Sequence, residues 1–133
     1  MKKYLVIGNP IEHSLSPKLH NYWLNKNKVD GNYEKKLLDE DKVGEFIKLN
    51  QKISGINVTV PFKKTVINYC SELTELASTS QSVNTITLSN DKIIGDNTDV
   101  YGFEQSLRDL NFNGLNKTAY IIGAGGVVSS VVI

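Results

Sequence analysis

Gly55-Ile56-Asn57-Val58-Thr59-Val60-Pro61-Phe62-Lys63 reads as a strand that ends in chemistry. The β-branched residues at 56, 58 and 60 favour extended backbone, and Pro61 stops the ladder because it has no N–H to give. A period of two puts Asn57 and Thr59 on one face and the aliphatic residues on the other. A polar pair at the C-terminal end of an apolar strand is where α/β sheets bind ligands; a solvated sheet face is the plain alternative. Lys63 follows in what should be the first turn of a helix. A cation there opposes the helix dipole, which eases deprotonation and suits an acid/base lysine. A surface lysine beside Lys64 is the competing reading.

Upstream, residues 4–8 form a buried strand running into a loop. Ser16-Pro17 is a helix start, with Ser16 as N-cap and Pro17 at the first helical position. That helix should reach about Lys28, with Leu19, Trp23 and Leu24 on one face. A second strand is expected over 32–38. An amphipathic helix over 39–50 should turn Val43, Phe46, Ile47 and Leu49 inward. Downstream, short helices are expected over 63–70 and 72–80. Strands over 85–88 and 92–95 flank the turn Ser89-Asn90-Asp91 as a hairpin. Thr98 or Asp99 should cap a helix reaching Leu110, and residues 118–122 should be a strand. Strands alternating with helices argue an α/β layer fold.

Composition narrows the function classes. Fifteen Lys and Arg against fourteen Asp and Glu give +1, so no global field recruits nucleic acid or a membrane surface. A single cysteine, Cys70, excludes an internal disulfide and suits a reducing, cytoplasmic setting. His13 and His20 make no metal cluster with nearby Cys or carboxylates, so no metal is expected. The apolar run over 4–7 is too short for a signal peptide, and no run approaches a membrane span.

Four further segments carry candidate chemistry. Ser14 and Ser16, two apart in a loop that opens a helix, suit a carboxylate or phosphate; a cap and a loop serine are the plain reading. Asn84 precedes the hairpin, and Asn97-Thr98-Asp99 follows it. Asp99 reads either as a helix-start residue or as a carboxylate that holds Lys63. Gly123-Ala124-Gly125-Gly126 follows an expected strand and precedes an expected helix, the context of a dinucleotide fingerprint. Val128 stands where that pattern usually has Gly or Ala.

In this order, Ile7-Gly8-Asn9-Pro10, His13-Ser14-Leu15-Ser16-Pro17, Asn57 to Lys63, Val83-Asn84-Thr85, Gly95-Asp96-Asn97-Thr98-Asp99 and Gly123 to Gly126 resemble the shikimate dehydrogenases. The resemblance runs through the whole chain. It implies NADPH-dependent reduction of 3-dehydroshikimate to shikimate, on the route to aromatic amino acids. It implies a three-layer α/β substrate-binding domain with a mainly parallel sheet over 1–110. Residues 111–133 would be the first strand and glycine turn of a Rossmann-type NADP-binding domain. By the same resemblance, Ser14 and Ser16 hold the substrate carboxylate. Thr59, Asn84 and Asp99 bind the ring hydroxyls with Asn57 in support, and Lys63, paired with Asp99, is the acid/base residue. Gly123, Ala124, Gly125, Gly126 and Val127 take the cofactor pyrophosphate, and Glu75 faces the cofactor side of the cleft.

Departures from the family pattern accompany the match. Gln81-Ser82 replaces the usual Gly-Ala, Val100 replaces a Gly after Asn-Thr-Asp, and Val127 replaces an Ala. The chain ends at Ile133, inside the first helix of a βαβ unit that takes about 30 residues or more. It is therefore expected to be an N-terminal fragment, inactive alone. Five β-branched residues in the last seven suggest self-association or dimerisation through 118–133. A non-catalytic shikimate-binding module and an NAD-using quinate/shikimate paralogue stay open as alternatives.

Overall fold

The computed structural model describes residues 1–50, 52–89 and 91–133. Its frame is a six-stranded sheet built from β1 (Lys2–Gly8), β2 (Gly31–Leu37), β3 (Gly55–Val58), β4 (Glu72–Leu73), β5 (Thr85–Ser89) and β6 (Lys92–Asp96). The strand order is β2-β1-β3-β5-β6-β4. β1 pairs in parallel with β2 and β3, and β4 in parallel with β6; β5 runs antiparallel to both β3 and β6. The expected α/β fold with a mainly parallel sheet is what forms. The expected hairpin is the β5–β6 pair, although Asn90 of its turn lies outside the described residues.

Alternation along β1 builds the layers. Ile7 enters the main core with Ile56, Val58, Phe62, Val66 and Ile86. Its neighbour Val6 points the other way, into a small cluster with Ile11 and Tyr33 under Leu24. The small cluster is covered by α1 (Ser16–Lys26). The main core is covered by α2 (Val43–Leu49), a 3-10 helix (Thr65–Tyr69) and α3 (Glu75–Ser80).

Several local expectations change. Leu19 and Trp23 of α1 are each 46% exposed, so only Leu24 of the expected stripe is packed. The cluster beneath α1 is too small to cover a full helical face. Helix α1 also ends at Lys26, where the Asn27 side chain donates to the Trp23 carbonyl at 2.8 Å. A 3-10 turn (Glu40–Lys42) leads into α2, which buries Val43 and Ile47, while Leu49 is 74% exposed. Residues 43 and 47 are one helical turn apart, and Leu49 lies half a turn beyond Ile47. Residues 72–73 are a strand rather than helix, and α3 begins only after Thr74, whose Oγ1 accepts from the Ala77 N–H at 3.3 Å. Strand β3 stops at Val58, before Thr59 and Val60. Those two still touch β1 through Thr59 N–H to the Ile7 carbonyl and Asn9 N–H to the Val60 carbonyl, both 3.0 Å.

The expected strand over 118–122 does not form, and Tyr120 and Ile122 are fully or nearly fully exposed. Extended backbone needs a neighbouring strand for its N–H and C=O groups, and none lies beside it among the described residues. The following helix is one turn, α5 (Val128–Val131), which packs against α4 (Asp99–Asp109).

Cys70 is partly buried, and burial pushes its thiol from 9.0 up to about 11. The thiolate is the nucleophile, so the native thiol should stay unreactive until the pH approaches that value. Iodoacetamide labelling at pH 8 is expected to be at least about tenfold slower in the native chain than in urea. Equal rates in the two states would contradict this.

Candidate active site

Chain direction gathers the polar groups at one edge of the sheet. Parallel strands β1 and β3 both end there, releasing Ser14 and Ser16 after β1 and Thr59 and Lys63 after β3. Because β5 is antiparallel to β3, its beginning lies at the same edge and brings Asn84. Because β6 is antiparallel to β5, its end lies there too and brings Asn97 and Asp99. Gly8 makes the close approach of the two parallel strand ends feasible: a Cβ there would stand 2.5 Å from Thr59 Cγ2.

Lys63 Nζ donates to Asp99 Oδ2 at 2.7 Å, with the side chains 14% and 28% exposed. The second oxygen, Asp99 Oδ1, accepts from Asn84 Nδ2 at 2.9 Å. Asn84 Oδ1 in turn accepts from the Thr98 backbone N–H at 3.0 Å. The carboxylate is therefore held on both oxygens. Removing either partner of so sheltered an ion pair strands the other. An ammonium fixed in this way at a cleft can give a proton to a bound oxygen and take it back.

The helix-dipole argument for Lys63 does not apply. Lys63 lies in a turn ahead of the 3-10 helix, whose N-cap is Lys64. The capping roles also differ from expectation. Ser16 is the first residue of α1 and its side chain caps nothing; Ser14 Oγ accepts from the Ser16 N–H at 3.3 Å instead. Thr98 precedes α4 without a side-chain cap, and the Asp99 N–H is taken by Asn97 Oδ1 at 3.0 Å. With the α4 end capped by Asn97, the Asp99 carboxylate remains available to Lys63.

Two cavities meet this edge. One, of about 240 Å³, is lined by Val6, Pro10, Ile11, His13, Ser14, Ser16 and Thr59. The other, of about 350 Å³, lies between Val60, Pro61, Lys63 and Lys64 on one side and Ala124 to Val127 on the other. Thr59 and Val60 are adjacent, so the cavities adjoin along the chain. The glycine turn lies beside Lys63: a Cβ at Gly126 would stand 3.8 Å from Lys63 Cβ. Gly123 has φ +118, a conformation side chains resist, and a Cβ at Gly123 or Gly125 would meet nothing within 4 Å. Ser129 Oγ in α5 is buried without a hydrogen-bond partner among the described residues. Glu75 is exposed in the first turn of α3 and lines neither cavity. Among the described residues no group of three or more His, Cys, Asp or Glu could hold a metal ion.

Three residues escaped the sequence reading. Tyr33, 4% exposed, donates its hydroxyl to Asn57 Oδ1 at 2.7 Å. Burial pushes the phenol well above its ordinary pKa, and a Ser16 hydroxyl contact partly offsets this. Thr85 accepts from Asn57 Nδ2 at 3.1 Å. Asn97, 1% exposed, donates through Nδ2 to Ser80 Oγ, the Ser82 carbonyl and Ser130 Oγ at 2.8, 3.0 and 2.8 Å. Asn97 thus joins the end of α3, the start of α4 and α5. Its signal was a polar residue directly after an apolar strand, which a helix-start motif explained away.

Asn97→Ala should remove the Asn97 bonds to Ser130 Oγ and from the Asp99 N–H, while the Ser82 carbonyl keeps its bond from Ser80 Oγ, and a buried polar group left unpaired costs about 1–3 kcal/mol. Urea unfolding is expected to register a loss in that range, and hydrogen exchange at residues 128–131 should accelerate. Unchanged stability would show that water replaces the amide without penalty.

Residues 6–86 match the family model of the shikimate dehydrogenase substrate binding domain. A shikimate dehydrogenase (NADP(+)) of Pelagibacter ubique is 57% identical, over 99% of this chain and 51% of its own length. The corresponding protein of Acinetobacter baumannii (strain SDF) is 42% identical, over 98% and 51%. Among solved structures, shikimate dehydrogenase 1 from Peptoclostridium difficile superposes with TM-score 0.94 at 26% identity, covering 98% of this chain and 49% of that one. The enzyme from Thermus thermophilus, solved with NADP(H) and shikimate, gives 0.91 at 29%, covering 98% and 50%. The chain spans about half the length of the curated relatives it matches. With the family model covering most of it, the chain belongs to the shikimate dehydrogenase substrate-binding domain family.

Proposed function

We propose that this chain is the substrate-binding half of an NADPH-dependent shikimate dehydrogenase, which reversibly reduces 3-dehydroshikimate to shikimate. Residues 1–110 form the substrate domain and residues 111–133 begin the NADP-binding domain. The observation that carries the reading is the Lys63–Asp99 ion pair, 2.7 Å long, at a cleft the glycine turn also lines. The names and titles of the relatives, NADP(+) and shikimate among them, support the same substrate and cofactor.

Ser14 and Ser16 take the ring carboxylate in the smaller cavity through their hydroxyls. Thr59, Asn84 and Asp99 take the ring hydroxyls, and Asn57 supports Asn84 from behind, its Nδ2 donating to the Asn84 carbonyl at 3.4 Å. Asp99 orients the Lys63 ammonium, and Lys63 gives its Nζ proton to the oxygen that was the ketone. In the reverse direction the neutral amine recovers that proton from the alcohol. NADP(H), when bound, supplies or accepts the hydride. The open turn at Gly123 and Gly125 fits the close approach of its pyrophosphate, with Ala124, Gly126 and Val127 completing the contact and Lys64 adding positive charge. Glu75, in the first turn of α3, faces the cofactor side of the cleft. The chain spans about half the length of its relatives, and we infer that it is inactive alone. A cytoplasmic setting accords with the free thiol of Cys70.

Shikimate titrated into the 133-residue chain should move amide signals of Ser14, Ser16, Thr59, Lys63, Asn84 and Asp99 by NMR at millimolar ligand. No movement there would count against the site. In the complete enzyme, Lys63→Ala is expected to lower kcat by roughly 10²–10⁴ with a smaller change in KM. An unaltered kcat would remove Lys63 from the chemistry.

The exposed side chains of Tyr120, Ile122 and Val132 support a further proposal, that residues 118–133 associate with other protein surface, a second copy included. Sedimentation of the chain against a version ending at Asn116 should give a dimer or larger species only for the longer one. Two identical monomers would refute it.

A further inference from the structure

Tyr33 and Thr85 touch neither Lys63 nor Asp99, although the Tyr33 hydroxyl also meets Ser16 at the wall of the smaller cavity; an unbroken line of hydrogen bonds joins them to the ion pair. The Tyr33 hydroxyl donates to Asn57 Oδ1 at 2.7 Å. Asn57 Nδ2 donates to Thr85 Oγ1 at 3.1 Å, and Thr85 Oγ1 donates to Asn84 Oδ1 at 3.0 Å. Asn84 Nδ2 donates to Asp99 Oδ1 at 2.9 Å, and Asp99 Oδ2 receives Lys63 Nζ at 2.7 Å. From Tyr33 to Asp99 every donor points the same way.

Direction matters because each hydroxyl has one proton to give. With its oxygen engaged by Tyr33, Asn57 must present its NH2 to Thr85. Thr85 then spends its single proton on Asn84 Oδ1, which leaves the Asn84 NH2 for Asp99. Without the Tyr33 hydroxyl, only the long 3.4 Å bond from Asn57 Nδ2 to the Asn84 carbonyl opposes a turn of the amide, and after that turn its oxygen becomes an acceptor for Thr85. Asn84 Oδ1 then loses a donor and keeps only the Thr98 groups.

Tyr33 is built as an anchor. Its backbone N–H donates to Asn21 Oδ1 at 2.9 Å, and its carbonyl accepts from Asn21 Nδ2 at 2.8 Å. One side chain of α1 thus clamps this residue of the edge strand β2. The ring stacks on His20, centroids 4.2 Å apart and planes within 4°. A phenol held at backbone and ring can set the direction of whatever it bonds.

We propose that Tyr33 and Thr85 are positioning residues, which orient the Lys63–Asp99 pair through Asn57 and Asn84. This rests on the reading of that pair as the acid/base centre of a shikimate site. The relay predicts coupling between residues with no mutual contact. Tyr33→Phe keeps the stacked ring and loses the hydroxyl; Thr85→Val keeps the shape and loses the hydroxyl; Thr85→Ser restores it.

Shikimate affinity of the 133-residue chain and the 13C shift of the Asp99 carboxyl are measured for these variants. Tyr33→Phe and Thr85→Val should each weaken shikimate about two- to tenfold, the range of one neutral hydrogen bond. Each should also move the Asp99 carboxyl signal, while Thr85→Ser matches the parent. The double variant should be no worse than Thr85→Val alone, since both break the same line. Additive losses, or an unmoved Asp99 signal in Tyr33→Phe, would overturn the relay. Should Tyr33→Phe not fold, the contrast of Thr85→Val with Thr85→Ser at Asp99 decides in its place. Should the parent chain take no shikimate, the functional reading fails, and the Asp99 shifts alone support or overturn the relay.

Discussion

The antiparallel ladder between β3 and β5 sets Asn57 opposite Thr85, Ile56 opposite Ile86 and Gly55 opposite Thr87. One sheet face then receives the isoleucines, which are buried to 1% and 0%. The other receives Asn57 and Thr85. A slip of one residue would turn amide and hydroxyl into the core and the isoleucines out of it. The register is therefore enforced by apolar burial, at about 25 cal/mol per Å² of area removed from water. The polar alignment follows from it, and with it the Asn84 carbonyl that accepts from the Val58 N–H at 2.7 Å. Lys63 and Asp99, 36 positions apart, meet because this ladder fixes both chain ends they depend on.

Around that ladder the burden is divided unevenly. The main core is apolar, and it fixes the positions of β1, β3 and β5. The edge where they end carries the polar groups and is ordered by hydrogen bonds. Buried amides do most of that ordering. Asn97 alone satisfies groups from α3, α4 and α5, and Ser82 Oγ adds a bond to the Gly126 carbonyl at 3.1 Å. The glycine turn is thus tied to the body of the domain by side chains rather than by a sheet. Polar knots of this kind contribute little net stability when satisfied, yet cost several kcal/mol when broken, which favours one geometry over its neighbours.

Misplaced expectations share a physical origin. Ser16 and Thr98 have the right chemistry to cap, but Ser14 and Asn97 stand one or two residues earlier, and their oxygens take the N–H of the first residue of each helix, Ser16 and Asp99. Leu49 continues an apolar pattern, but Val43 and Ile47 already fill the core on the inward face of α2. Residues 118–122 have strand composition and no strand beside them among the described residues. In each case local preference was weighed correctly and then overridden by which partner was in reach.

Much of the frame was legible from residue order. Alternating Ile56, Asn57, Val58 and Thr59 announced a strand with one apolar face, and Pro61 announced its end. Ser14, Ser16, Lys63, Asn84 and Asp99 stood out as hydroxyl, amide or charge placed just beyond apolar runs, and such periodicity is a local property that a sequence carries openly. What only the tertiary structure decided is who meets whom. Thr85 and Tyr33 look like an ordinary strand threonine and a core aromatic. They gain a role because parallel and antiparallel pairing bring residues 33, 57, 84, 85 and 99 into one hydrogen-bonded line. Hydrogen bonds between side chains act over about 3 Å with strict direction, and neither that distance nor that direction is written in the spacing of residues along a chain.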